Sequence, residues 1–286
     1  MFTPLDGTYS ALRVNASIDM GSELHALISA PYISIPAKTS DRGKTWTAIG
    51  IAQSNGNYGA YCAAARGTLY GVGLNMFMTT YQSGTTYTVR STVVEDGSVA
   101  TAWYNVVSST AQSLPAAACF APNIGLSQGG DGLFVVVGQY RMLYTSPNGT
   151  TWTKRYAYGP GGVITAGDFT ACAVVGGKIV IISSDGYAYS STDGVTFNQA
   201  GNTGITSTLS SNIPKLAYIN GYLLLMSGNL CSVSTDAGAT WSLITQLAIP
   251  SGASHTYSLT YNQASGKIVY GVGPVSGYEA NYIVQA

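Results

Sequence analysis

A short motif recurs along the chain and constrains the fold more than any other sequence feature. Two copies, "TSDRGKTW" and "STDAGATW", follow the pattern Ser/Thr-x-Asp-x-Gly-x-Thr-Trp. Two copies one residue shorter read "SPNGTTW" and "STDGVTF", and two degenerate copies read "YQSGTTY" and "PLDGTY". The copies recur at intervals of about 45 residues, which is the signature of an array of equal supersecondary units. The motif glycines are Gly7, Gly43, Gly84, Gly149, Gly194 and Gly238.

The motif predicts a tight turn between two strands. Its Asp or Asn side chain can accept hydrogen bonds from backbone N–H groups within the turn, and its Gly permits a positive φ. The Thr and the aromatic residue then begin the outgoing strand, where the ring is a large apolar anchor. We therefore expect a structural role for the motif residues of the four best copies. These residues are Asp41, Gly43, Trp46, Asn148, Gly149, Trp152, Asp193, Gly194, Phe197, Asp236, Gly238 and Trp241.

The segments between motifs predict four antiparallel strands in each repeat. In the clearest unit, residues 214–245, a strand of small residues ends at Asn220-Gly221 and a very apolar strand follows. A short strand, the motif turn and an outer strand complete the unit. Four such strands in about 45 residues describe one blade of a β-propeller. Because no stretch shows a helical period of apolar positions, we expect almost no helix.

These repeats predict an all-β chain with one domain over residues 1–286. The expected fold is a single β-propeller of six four-stranded blades, with five or seven blades as alternatives. We expect the N-terminal strand to pair into the C-terminal blade, since such closure leaves no exposed sheet edge. The step from Gly84 to Gly149 exceeds the others by about one hairpin. It therefore predicts an inserted hairpin at about 92–112, with its turn at Asp96-Gly97.

The cysteines indicate buried thiols and not bridges or ligands. Cys62, Cys119 and Cys172 each precede a turn and an apolar strand, so they occupy one position in three successive repeats. Equivalent positions of packed sheets lie about 10 Å apart, whereas a disulfide needs Cα atoms within about 7 Å. Cys231 belongs to a different strand. No Cys-x-x-Cys pair occurs, and we expect no metal site and no cofactor.

Charge is scarce in this chain. Its 286 residues include 12 Lys or Arg and 12 Asp or Glu, or 8% charged, against roughly 25% in an average domain. The balance argues against nucleic acid and anionic membranes as partners. No apolar run is long enough for a membrane helix, and "MFTPLDGTYSALRV" does not match a signal peptide. Such a composition is typical of extracellular or decorated proteins, or of subunits of a larger assembly.

The motif resembles the Asp-box, or BNR repeat, of sialidases and related β-propellers. The shortened copies, in a chain rich in Gly, Ser, Thr and Tyr, also resemble tail or surface proteins of tailed bacteriophages. That second resemblance implies a virion protein made in the host cytoplasm. It also implies an oligomeric assembly whose partners are other virion subunits, a host-surface glycan, or both.

The sialidase resemblance does not extend to the catalytic residues. Sialidases hold a carboxylate with three arginines and use a Tyr–Glu pair and an acid Asp. Here "ALRVNAS" around Arg13 departs from the family's Arg-Ile-Pro signature, and none of Glu23, Glu95 and Glu279 has a recognisable nucleophile context. We therefore expect a non-enzymatic structural or attachment protein. The alternative is a carbohydrate-active enzyme, such as a sialidase-like glycoside hydrolase, or a cellular lectin.

Trp103 and Tyr104 are the candidate binding residues. They lie in the expected insertion, outside the repeat. Aromatic faces suit stacking against sugar rings, and rigid rings cost little entropy at protein interfaces. Local packing within the hairpin is the alternative role for this pair.

Overall fold

The computed structural model describes most of the chain, and the described residues form six β-sheets. Among the described residues the one helical element is a 3₁₀ turn at Leu126–Gln128, so the prediction of an all-β chain is confirmed. The chain divides into two compact units, Met1–Arg155 and Tyr156–Ala286. The described residues are 13–30, 32–41, 45–56, 62–109, 114–164, 167–205, 214–227, 230–244, 255–262, 267–273 and 282–285.

The first unit contains three sheets whose neighbouring strands are antiparallel. The first sheet consists of β1 (Arg13–Asp19), β2 (Leu24–Ala30), β3 (Tyr32–Thr39), β4 (Thr47–Ala48) and β5 (Gln53–Gly56), the last also pairing with β3. The second sheet consists of β6 (Cys62–Leu69), β7 (Val72–Ser83), β8 (Thr86–Glu95) and β9 (Tyr104–Ser109). The third sheet consists of β10 (Pro115–Pro122), β11 (Gly132–Gly138), β12 (Met142–Ser146) and β13 (Thr153–Lys154).

The second unit also contains three sheets. The fourth sheet consists of β14 (Tyr156–Gly159), β15 (Gly162–Val163), β16 (Phe169–Val175), β17 (Lys178–Ser183), β18 (Tyr187–Ser191) and β19 (Thr196–Asn202). The fifth sheet consists of β20 (Lys215–Ile219), β21 (Tyr222–Ser227), β22 (Leu230–Ser234) and β23 (Ser242–Ile244). The sixth sheet consists of β24 (His255–Asn262), β25 (Lys267–Gly273) and β26 (Tyr282–Gln285).

The strands with many small side chains are those that begin the four-stranded part of a sheet, such as β6, β10, β16 and β20. Small side chains are favoured there because these strands contact one another within each unit. In the first unit β6 contacts both β1 and β10, and in the second unit β20 contacts both β16 and β24. The approach is close: a Cβ atom at Gly67 in β6 would overlap the ring of Phe120 in β10. Cys62, Cys119 and Cys172 lie in β6, β10 and β16, and all four cysteines are free thiols, as predicted. Cys62, Cys172 and Cys231 are buried, as expected, but Cys119 is only partly buried.

Apolar layers between neighbouring sheets form the core. The second strands supply most of each layer, and β11 is buried along its whole length. Phe77 lies in the layer between the first and second sheets, and Phe134 in the layer between the second and third. Leu225 lies between the fourth and fifth sheets. Strands buried on both faces explain the continuous apolar runs in the sequence.

The inserted hairpin predicted at about 92–112 is wrong. Residues 92–95 are the end of β8, and β9 is the fourth strand of the same sheet, with Ser91 opposite Tyr104. The error comes from the degenerate copy at Gly84, which lies between the second and third strands of its sheet. The other described copies join β3 to β4, β12 to β13, β18 to β19 and β22 to β23, which are third and fourth strands when the additional strands β14 and β15 are set aside. Because Gly84 lies one strand earlier in its sheet than the other motif glycines, the interval from Gly84 to Gly149 is long without any inserted hairpin.

An additional hairpin does occur, but it belongs to the fourth sheet. Strands β14 and β15 pair antiparallel, and β14 pairs parallel with β19, so the sheet has six strands. Tyr156 lies opposite Thr196 in this parallel register. The hairpin places the short strand β15 at the edge of the sheet.

Several expectations fall outside the described residues. The motif copy at Gly7 and the segment 1–12 that was expected to close the ring are outside them, and so are Arg42 and Gly43. The single domain, the closure and the number of six blades therefore stay predictions.

Candidate functional site

Each described motif turn is built around the side chain of its Asp or Asn. In the last copy, Ser234 Oγ donates to Asp236 Oδ1 at 2.8 Å, and the N–H of Gly238 donates to Ser234 Oγ at 2.9 Å. The N–H of Thr240 donates to Asp236 Oδ1 at 2.8 Å. Two hydrogen bonds from Thr240 are the main reasons that the pKa of Asp236 is lowered from 3.8 to about 2. The bond from the Thr240 hydroxyl has the larger effect, and the bond from its backbone N–H comes second. The carboxylate thus organises the turn backbone.

The same arrangement recurs in the other copies. Asn148 accepts the N–H groups of Thr150 and Thr151 at 3.0 and 2.9 Å, and Asp193 accepts the two equivalent N–H groups at 2.8 and 2.9 Å. Asp41 accepts one such bond, at 2.9 Å. A neutral Asn therefore makes the same backbone hydrogen bonds as a carboxylate, so the geometry and not the charge is the common element.

The motif aromatic residues anchor their turns to neighbouring strands. Trp152 Nε1 donates to the carbonyl of Gly149 at 3.1 Å and to Ser91 Oγ of β8 at 2.9 Å. Trp241 makes the equivalent bond to its own motif glycine at 3.0 Å. Phe197 is fully buried, and Trp46 packs against the core of the first sheet.

Trp103 and Tyr104 are adjacent in sequence but differ in their surroundings. Trp103 is half-buried, donates its indole N–H to the carbonyl of Ile51 at 3.0 Å and packs against the layer that contains Phe77. Tyr104 begins β9 and is 42% exposed. Successive side chains in a strand point to opposite faces, and only Tyr104 of the two lines a groove on the surface.

This groove runs across the second sheet and is bounded by the motif turn of the third sheet. Its cavity volume is about 460 Å³. Leu69 of β6, Leu74 of β7 and Val93 of β8 form an apolar lining, and Tyr104 of β9 adds an aromatic ring. All four strands of the second sheet thus contribute side chains to the groove.

Polar groups complete the lining of the groove. Asn148 and Thr150 contribute from the motif turn of the third sheet, and Glu95 and Ser98 from the turn after β8. Apolar surface with a few convergent polar groups is the usual composition of a ligand site. The sequence prediction identified Tyr104 and Asn148 but assigned Asn148 only a structural role. It did not identify Glu95 as a residue of the groove. The sequence signal for Glu95 was its position directly before the Asp96-Gly97 turn.

An ion pair holds the turn that carries Glu95. Arg66 of β6 donates two hydrogen bonds to Asp96, at 2.8 and 2.7 Å, and a third to buried Asn75 at 3.0 Å. The Arg66 guanidinium is the main reason that the pKa of Asp96 lies below its ordinary value. A Cβ atom at Gly73 would overlap the Asp96 carboxylate, so a larger residue there would displace this ion pair. The second sheet thus uses an ion pair where other sheets have the motif.

Three arginines have separate polar partners. Arg66 binds Asp96, as described above. Arg90 donates to Gln53 Oε1 at 2.9 Å, and Arg155 donates to Thr145 Oγ1 at 2.8 Å. Each of these guanidinium groups contacts its own local partner, an arrangement unlike a three-arginine clasp around one carboxylate.

Another polar cluster lies at the end of the first sheet. Glu23 bridges Lys38 Nζ at 3.0 Å and His25 Nε2 at 3.2 Å. Within the described part of the chain, no three side chains among His, Cys, Asp and Glu gather in a way that could hold a metal ion. The described residues also contain no helix of the length and apolar character required to cross a membrane.

No family model and no curated protein matches this sequence. Among solved structures, the chain is similar to the major Malassezia sympodialis allergen Mala s 1, with a TM-score of 0.53 and 11% identity over 91% of this chain and 86% of that chain. Mala s 1 is a β-propeller protein. The fold class of this chain is that of the β-propellers. The predicted fold class is thereby confirmed.

Two further solved structures are similar to the chain. One is YCF48 bound to a D1 peptide, with a TM-score of 0.48 and 13% identity over 94% of this chain and 80% of that chain. The other is the computationally designed Ika8 protein, with a TM-score of 0.47 and 9% identity over 93% of this chain and 82% of that chain.

Proposed function

We propose that this protein is a non-enzymatic attachment protein that binds a glycan in the groove lined by Tyr104. One observation carries the proposal: an exposed aromatic ring, apolar side chains and hydrogen-bonding side chains line one groove. A sugar presents an apolar face and a set of hydroxyl groups, so this combination is complementary to it. Stacking on the Tyr104 ring would orient the sugar, and Asn148 and Thr150 would bind its hydroxyl groups.

We assign the setting to the virion of a tailed bacteriophage. The low charge, 8% of residues, suits a subunit that is surrounded by other subunits or by a glycan-covered surface. The motif turns, each with a Ser or Thr before an Asp or Asn that accepts backbone N–H groups, support assignment to the Asp-box type. In this assignment the Asp-boxes stabilise the sheets, and the groove is used for attachment.

The alternative is a sialidase-like glycoside hydrolase or a cellular lectin. A sialidase needs three guanidinium groups directed at one substrate carboxylate. Arg66, Arg90 and Arg155 instead bind separate side chains, which favours attachment over hydrolysis. A lectin would use the same groove. The identity of the neighbouring genes would distinguish a cellular lectin from a phage attachment protein.

Binding to immobilised oligosaccharides tests the proposal. The panel contains neutral, amino-bearing and sialylated sugars, and the variants are Tyr104→Ser and a matched control, Tyr218→Ser. Tyr218 is 49% exposed but lies in β20 of the other unit. We expect Tyr104→Ser to weaken binding by about tenfold, or roughly 1.4 kcal/mol, while Tyr218→Ser binds like the unmodified protein.

Two outcomes would overturn the proposal. One is that no glycan binds the intact protein. The other is that Tyr104→Ser binds every glycan as well as the Tyr218→Ser control does. If hydrolysis products of a sialylated sugar appear with the intact protein, the alternative enzyme function replaces attachment.

A further inference from the structure

The groove has a single formal charge on its lining. Glu95 is exposed at the end of β8, and it is the one Asp, Glu, Lys or Arg among the described side chains that line the groove. The other polar contributors that the structure places there are neutral hydroxyl and amide groups. A ligand in the groove therefore meets negative charge and no compensating cation on the lining.

The neighbouring carboxylate does not add to this charge. Asp96 is bound by two nitrogens of Arg66, at 2.8 and 2.7 Å, so its charge is neutralised locally. The backbone of Asp96 is also held, because its N–H donates to the carbonyl of Gly73 at 3.0 Å. Glu95 thus directly precedes a residue that is held by an ion pair and a backbone hydrogen bond.

Two residues of the lining offer different chemistry to a ligand. Tyr104 offers a ring for stacking, and Glu95 offers an anionic acceptor in the same lining. A carboxylate attracts an ammonium group and repels another carboxylate, and both effects weaken as salt is added. Charge at this position therefore distinguishes between sugars that have the same ring and different substituents.

We propose that Glu95 makes the groove selective for oligosaccharides with a free amino group, such as glucosamine oligomers, over acidic sugars such as sialic acid. This inference rests on the proposed glycan binding and names the class of sugar. Tyr104 stacks against the ring, and Glu95 binds the protonated amine. N-acetylation removes that charge, so acetylated oligomers of the same length bind more weakly.

Calorimetry with four probes tests the inference on the intact protein. The probes are a glucosamine tetramer, its fully N-acetylated counterpart, and a pair of lactose and sialyllactose. We expect the free-amine tetramer to bind about two- to fivefold more tightly than the acetylated one at low salt, the range of an exposed ion pair. The preference should shrink at high salt, and sialyllactose should bind more weakly than lactose.

Variants at position 95 and a matched control test whether Glu95 causes the preference for the free amine. Glu95→Gln should remove the preference for the free-amine tetramer over the acetylated one, and Glu95→Lys should reverse the order of lactose and sialyllactose. Asp19→Asn is the matched control, because Asp19 is an exposed carboxylate of the first sheet outside the groove. Its preference should equal that of the unmodified protein. Melting temperatures of all variants verify that each is folded.

The outcomes separate this inference from the proposed function. If the intact protein binds free-amine and acetylated tetramers equally at low salt, or if Glu95→Gln retains the preference, the role of Glu95 is overturned while glycan binding stands. If no probe binds, or if binding is insensitive to Tyr104→Ser, the glycan function itself is overturned and the inference with it.

Discussion

At the scale of single residues, the motif carboxylates show how one side chain determines a turn. Asp236 accepts hydrogen bonds from Ser234 and Thr240, and its pKa is about 2. In Asn148 an amide oxygen does the same with no charge. Among the motif turns, only those with a carboxylate therefore make a contribution to stability that depends on pH.

We predict that Asp236→Asn reduces the acid sensitivity of folding. The pKa of Asp236 in the folded protein, about 2, is lower than the ordinary 3.8. Its stabilising contribution is therefore complete above pH 3.8 and is lost as the pH falls towards 2. Denaturant unfolding of the unmodified protein and the variant at several pH values from 7 to 2 measures the free energy of unfolding of each. The difference in free energy of unfolding between the unmodified protein and Asp236→Asn should be constant above about pH 4 and should decrease below it.

If this difference in free energy of unfolding stays constant down to pH 2, the Asp236 carboxylate is not stabilised by its turn. Asn148→Asp is the reverse substitution in a matching turn. It should introduce an acid-sensitive contribution over the same pH range.

A tyrosine in a left-handed backbone conformation is the second residue-scale feature. Tyr70 and Gly71 form the turn between β6 and β7, with φ of 51° and 79°. Asn220 and Gly221 form the equivalent turn of the fifth sheet, with φ of 49° and 88°. A two-residue hairpin turn with both φ values positive favours Asn-Gly, and a bulky residue there is strained.

We predict that Tyr70→Asn stabilises the protein and that Asn220→Tyr destabilises it. Each change should be about 0.5–1 kcal/mol, since Asn tolerates the left-handed region and Tyr does not. Tyr70 is 78% exposed, so little packing is lost. Chemical denaturation of the two variants checks the signs. Destabilisation by Tyr70→Asn would indicate that the ring makes contacts which outweigh the backbone strain.

At the scale of elements, the hairpin β14–β15 is the feature without an equivalent in the other described sheets. It adds β15 to the edge of the fourth sheet, and the two residues of that strand are Gly162 and Val163. Natural proteins usually protect such edges with lysine, proline or a short length. This edge is short but lacks charge, and Val163 is 45% exposed.

We predict that Val163→Lys lowers self-association without changing the melting temperature. A charge on an edge strand opposes pairing with another chain, and an exposed side chain contributes little to stability. Sedimentation velocity over a range of protein concentrations measures the effect. The matched control is Val195→Lys, because Val195 is 43% exposed in the motif turn of the same sheet. Equal effects of both lysines would mean that net charge, and not the edge, controls association.

At the scale of the whole molecule, stability comes from sheets that pack face to face. Buried second strands such as β11 supply the apolar layers, and small residues in the first strands allow those strands to approach. This architecture needs no helix, and the described residues contain only the 3₁₀ turn Leu126–Gln128.

We predict a far-ultraviolet circular dichroism spectrum dominated by β-strand. Helix content should be below about 10%, far less than the roughly 30% of an average soluble domain. A larger helical signal would contradict the fold. The measurement covers the entire chain, including the segments outside the described residues.

The sequence by itself determined the fold class, because its signals are local. A turn motif with Asp, Gly and Thr at set spacings specifies hydrogen bonds within a few residues, and these are made at Asp193 and Asp236. Apolar runs after the turns identified the second strands, and cysteines and alanines identified the first. Such features act over short distances along the chain, so they can be predicted from the sequence alone.

Tertiary structure decided which strand each degenerate copy borders and which side chains meet in the groove. The copy at Gly84 has the motif's composition but lies one strand earlier in its sheet, and strand pairing, a non-local interaction, sets that position. Glu95, Tyr104 and Asn148 line one groove although up to 53 residues separate them in the chain. Their meeting depends on the packing of the second sheet beside the third, and no local pattern in the sequence encodes that distance.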